Sequence, residues 1–238
     1  MGSLMINLML GNEANANYNA ALRPVIILIR MQFVFQLCLF PILSSRSASK
    51  GNSFFKAISE SSGVAIFLSV AFVLFLNVFS KEIITLLFTS RYLGSFYLLQ
   101  AGAWLLPFFI ISGIYSYSLI AANEEKLSLF AYVAAVIVNI ILNLYAIPKF
   151  GAEGVIISAM ISLILLVLLL SWFLSKKVDG KVMSITAGFI FLVIFIYLIY
   201  FSALSLYTAF ISGIMSFTLL SLIFLWSGKR KLHVRNKL

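Results

Sequence analysis

Apolar residues run along this chain in long blocks broken by short polar stretches, rather than alternating with polar ones. Crossing about 30 Å of hydrocarbon takes about 20 apolar residues in a helix. The blocks predict seven such spans, approximately 22 to 43, 62 to 79, 97 to 121, 127 to 148, 153 to 174, 185 to 204 and 207 to 227. Ahead of them, Met1 to Leu10 is apolar but reaches only about 15 Å as a helix, half a crossing. It reads as the end of a helix whose beginning is missing. Short connections such as "AANEEK" and "PKFGAEG" make consecutive spans antiparallel hairpins. In the second, Pro148 stops a helix while Gly151 and Gly154 supply the turn. The segment 80 to 96, with "IITLLF" between Lys81 and Arg91, is amphipathic and expected to lie at the bilayer surface. The fold class is therefore all-α, a polytopic transmembrane helix bundle of seven full spans and an N-terminal half-span.

Composition makes lipid part of the solvent. The 238 residues are 63% hydrophobic and 10% charged, far from the balance of a soluble domain, whose core could not hide so much apolar side chain. The net charge of +10 does not call for nucleic acid, because Lys and Arg flanking spans serve orientation. Cys38, the single cysteine, falls inside a span and has no intrachain disulfide partner. His233 stands alone in a basic tail, so neither a metal site nor any cofactor is expected. "MGSLMINLML" lacks the basic n-region and cleavage site of a signal peptide.

Lys and Arg should gather in alternate loops if the spans are counted correctly. One set holds Arg46, Lys50, Lys56, Lys126, Lys176, Lys177, Lys181, Lys229, Arg230, Lys231, Arg235 and Lys237; the other holds Lys81, Arg91 and Lys149. Twelve against three places the C-terminus in the cytoplasm and "GNEANANYNAA" outside. All seven acids fall in loops or at span ends, against a proton relay or buried cation site in this chain. No G-x-S-x-G elbow, Walker A loop or H-E-x-x-H helix is present. No enzyme and no catalytic residue is expected; the chemistry is binding and movement.

Arg30 lies eight residues into the first span, about 12 Å deep, where facing lipid costs about 2.5–3.5 kcal/mol. Asn19, Arg23 and Arg30, at spacings of four and seven, share one helix face leading inward, a candidate path for an anion. Carbonyl bonding or snorkelling is the structural alternative for the arginines. Gln32 and Gln36 lie on nearly the opposite face and suit interhelical bonding better than ligand binding. Ser128, Tyr132, Asn139 and Asn143, at spacings of four, seven and four, form a second polar stripe, either a cavity wall or packing through hydrogen bonds. Pro107 interrupts the span 97 to 121 between Gly102 and Gly113, predicting a kink, static or hinge-like.

"NANYNAALR", a span ending "FPILSS", then "KEIITLLFTSRYLGSFYLLQ" and "VNIILNLYAIPKFGAEGV" together resemble the C-terminal half of Wzx-type polysaccharide flippases. These belong to the multidrug/oligosaccharidyl-lipid/polysaccharide exporter superfamily. The resemblance covers roughly residues 1 to 175; residues 176 to 228 match as two extra terminal spans, and 229 to 238 is a basic tail. It implies two six-helix lobes around a central cavity that opens alternately to either side and moves a lipid-linked oligosaccharide across the cytoplasmic membrane. The first lobe is missing, which makes the chain a fragment, a truncated product or one half of a split transporter. In that picture Arg30 and Arg23 attract the pyrophosphate or acidic sugars. Tyr132, Asn139 and Asn143 bond sugar hydroxyls, with Asn19 on the arginine stripe, and Pro107 serves as hinge. The expected partners are the lipid-linked oligosaccharide, membrane lipid, and a separate N-terminal half or polysaccharide-assembly proteins.

Two other readings stay open on the residues alone. One is a cation or drug antiporter of the same superfamily, which would want a carboxylate from the absent lobe. The other is a non-transporting scaffold that binds assembly proteins through "GKRKLHVRNKL".

Overall fold

The computed structural model describes residues 2–48, 52–88, 90–178 and 181–202. The chain divides into two compact units, Met1–Ile190 and Phe191–Leu238, and the fold below is that of the first. The span expected at 207 to 227 and the basic tail lie outside the described residues. Eight α-helices follow one another: α1 Gly2–Leu10, α2 Asn12–Ala48, α3 Asn52–Val78, α4 Ser80–Leu87, α5 Phe96–Ala103, α6 Leu105–Ala121, α7 Glu125–Ser175 and α8 Lys181–Ser202, with a 3-10 turn, Ser90–Ser95, before α5. Among the described residues, four stretches are long and apolar enough to cross a membrane: Asn12–Ser47, Asn52–Val78, Arg91–Ala121 and Glu125–Ser175. This is a multi-pass membrane protein.

The last of these cannot be one crossing, since 51 residues would reach about 75 Å as a straight helix. Gly151 breaks it, with φ 59 and ψ −139, a backbone region open to glycine alone. Beyond the break the chain folds back, so that a side chain at Gly154 would strike the Ala146 carbonyl. At the far end the two arms meet again, Lys177 Nζ lying 2.5 Å from Glu124 Oε1, and Phe130 meets Phe173 edge-on between them. The predicted hairpin is therefore present, closed by one residue rather than by an open loop.

α6 is the helix around which the others pack. Of its 17 residues 13 are buried, the signature of a helix apolar on every side and enclosed. α2, α3 and the first arm of α7 pack on it, and Phe108 and Tyr115 reach Phe189 and Thr186 of α8. The kink expected at Pro107 lies at Trp104, where α5 ends and α6 begins. Pro107 has no N–H for the Ala103 carbonyl and its ring crowds that oxygen, so the break falls one turn ahead of the proline. Trp104 N–H turns instead to the Ala101 carbonyl at 3.3 Å.

The segment "GNEANANYNAA" joins α1 to α2. Only Gly11, at φ 87, turns the chain; Asn12 onward is already helix, and Ala20 and Ala21 are buried. α1 lies against this extension, with Gly2 so close to Val155 and the Tyr18 hydroxyl that a Cβ would not fit. Ile6, Ile147 and Val155 form the small core beneath it. Leu10 and Gly151 approach each other, so the α1–α2 and α7 turns share one end of the bundle, opposite Glu124 and Lys177.

Candidate functional site

α2 presents two different faces. Gln32 Nε2 donates to the Phe109 carbonyl of α6 at 2.9 Å, and the amide of Gln36 lies on the backbone of Gly113. Gln32 thus bonds between helices, as its position opposite the arginine stripe predicts, while Gln36 packs on Gly113 with its Nε2 buried and without a hydrogen-bond partner among the described residues. Arg23 and Arg30, two turns apart, are both exposed, among the exposed apolar side chains Ile26, Ile27, Phe33 and Val34. Among the described residues neither guanidinium has an acidic partner; an ion pair does join Lys177 and Glu124. A charge near mid-span facing hydrocarbon is costly, whereas one facing water or an anion is not. Guanidinium in such a place offers a planar fork of donors to carboxylate or phosphate.

The third member of that stripe is engaged elsewhere. Asn19 Nδ2 donates to Ser3 Oγ at 3.1 Å and to Asn15 Oδ1 at 2.8 Å, while Ser3 donates to Asn15 at 2.8 Å. This triad ties α1 to α2 at the end of the bundle nearest Gly11.

On α7 the second stripe is split between packing and surface. Ser128 shares a hydrogen bond of 2.7 Å with Ser116 of α6, and Tyr132, one turn further along α7, is partly exposed. Asn143 is fully buried and donates to Asn139 Oδ1 at 3.0 Å; its own Oδ1 is buried without a partner. Pro107 is buried in the first turn of α6. No hydrogen bond among the described residues joins the α2 arginines to the α7 polar groups.

Sequence reasoning passed over the hydroxyls of α6. "SGIYSYS" carries Ser112, Tyr115, Ser116 and Ser118 in an apolar span; Tyr115 bonds Thr186 at 3.0 Å and Ser118 bonds the Ile114 carbonyl at 2.7 Å. The signal was Ser112 and Ser116 at helical spacing opposite Ser128 and Tyr132, which is legible only once α6 and α7 are known to pack together.

The helices define a multi-helix membrane fold. The structure is similar to one titled "Lipid II flippase MurJ, inward closed conformation", with a TM-score of 0.65 and 20% sequence identity, over 94% of this chain and 49% of that one. The chain thus spans about half the length of that flippase. No family model and no curated protein matches the chain.

Proposed function

We propose that this chain is a lobe of a transporter, corresponding to the C-terminal half of a polysaccharide flippase, that moves a lipid-linked oligosaccharide across the cytoplasmic membrane by alternating access. The observation that carries it is the exposed, unpaired Arg23 and Arg30 on a membrane-spanning helix, in a fold shared with half of a lipid II flippase. In this reading α2 forms one wall of the translocation cavity, and the two guanidinium groups receive the substrate's phosphates in turn as it passes the midplane. The exposed edge of Tyr132 and Asn139 offer hydrogen bonds to sugar, and the Trp104–Pro107 break lets α6 bend. Asn19 and Asn143 then hold the helices that present these groups. The C-terminus is cytoplasmic, because the basic loops and tail lie at that end.

The reading is tested in cells that depend on the intact transporter. Arg30→Ala abolishes sugar export while the protein reaches the membrane at its normal level. Normal export by that variant would overturn the assignment of the arginine face to the cavity, and transport of cationic drugs instead of sugar would favour the antiporter.

A further inference from the structure

Between α2, α3 and α6 lies a cavity of about 170 Å³, lined by Met31, Phe35, Ala65, Leu68, Phe72 and Leu106 among others. It is on the side of α2 away from Arg30, so it takes no part in the anion path. Its two polar lining residues, Gln32 and Ser69, donate to the carbonyls of Phe109 and Ile66, which leaves Gln32 Oε1 as a single buried acceptor without a partner. A buried water needs two to four polar partners, and an apolar cavity of about 150 Å³ stays dry and takes a benzene-sized guest. The chemistry of the lining therefore selects hydrocarbon, in a length of about six carbons.

The cavity also opens where hydrocarbon is. Met31 and Leu68 are 63% and 47% exposed, and Phe35 and Phe72 are exposed beside them, midway along helices that cross the membrane. Their neighbours at that depth are the ends of lipid tails, not headgroups. We propose that this cavity is a binding slot for the terminal carbons of a phospholipid acyl chain, which fills the space between α2, α3 and α6 beside the Gln32–Phe109 hydrogen bond.

The slot is tested on the full chain in phospholipid nanodiscs containing a phosphatidylcholine with a diazirine at its acyl terminus. After illumination, cross-links map to residues 28–35 and 65–72 well above those on the exposed α7 face at 129–137. Ala65→Phe, which puts a ring in the floor of the slot, lowers the first set about tenfold, as a loss of about 1.4 kcal/mol does, and leaves the α7 set unchanged. Leu68→Trp, at the exposed mouth, does the same where Ala65→Phe does not fold. Labelling equal to that of the α7 face, indifference to the folded variant, or labelling by a polyprenyl analogue alone would overturn it.

Discussion

The amide of Gln36 in α2 occupies the space that any side chain at Gly113 of α6 would need. The pair is a close packing contact between two helices, of the kind that a small residue permits by letting backbones approach. Gly113→Ala gains helix propensity but overpacks this contact, and overpacking typically costs about 1–3 kcal/mol. The variant should unfold at lower denaturant or temperature than the wild type. Adding Gln36→Ala should recover much of the loss, and the non-additivity in a double-mutant cycle measures the contact itself.

Gly151 and Gly154 make a second pair of expectations. At φ 59 and ψ −139 a Cβ on residue 151 is strained, at a cost of about 1–3 kcal/mol. At 154 it meets the carbonyl of Ala146, which is backbone and has little freedom to withdraw. Both alanine variants should lower the melting temperature and open the turn near Pro148 to protease, while Gly63→Ala, where nothing lies near the new methyl, should do neither.

Arg23 and Arg30 should behave in the opposite manner. Exposed and without acidic partners, they contribute little to folding, and alanine at either position should change stability by no more than about 0.5 kcal/mol. Export should nevertheless fall steeply in Arg30→Ala and be partly restored in Arg30→Lys, which keeps the charge but loses the planar fork. A large stability loss without an export defect would assign the arginines to structure.

Solvent access separates the faces of the bundle. In a Cys38→Ser background, Ile27→Cys lies on the arginine side of α2 and Phe72→Cys on the outer side of α3; the native residues are 52% and 43% exposed. A charged maleimide should label position 27 and not 72, because only a water-filled path admits it. Equal resistance at both would mean that the arginine stripe is dry.

The Glu124–Lys177 ion pair is half exposed at 29% and 45%, so Glu124→Gln should cost less than about 1 kcal/mol and less again in high salt. Thermal unfolding at two ionic strengths reads this directly.

Much of the architecture was legible in the pattern of apolar blocks, since length and hydropathy decide which segments cross a membrane. α3 and both arms of α7 lie close to where they were expected, and Gln32 bonds between helices as its face predicted. The start of α2 at Asn12 was not legible, because a run rich in Asn and Ala has no apolar period; the docking of α1 and the Ser3–Asn15–Asn19 bonds stabilise it. The break at Trp104 was displaced from Pro107 because a proline disturbs the turn preceding it. Of the polar stripes, spacing placed Arg23 and Arg30 on one face, but it could not distinguish Ser128, bonded to Ser116 of α6, from a group open to a cavity.

The single-residue reversal at Gly151 has a mechanical consequence. An open loop would let one arm of α7 slide along the other, whereas the seat of Gly154 on Ala146 at one end and the Glu124–Lys177 contact at the other fix their relative height. The hairpin therefore favours tilting or pivoting as a single strut, which carries a displacement imposed at the Glu124–Lys177 end to the Gly151 end.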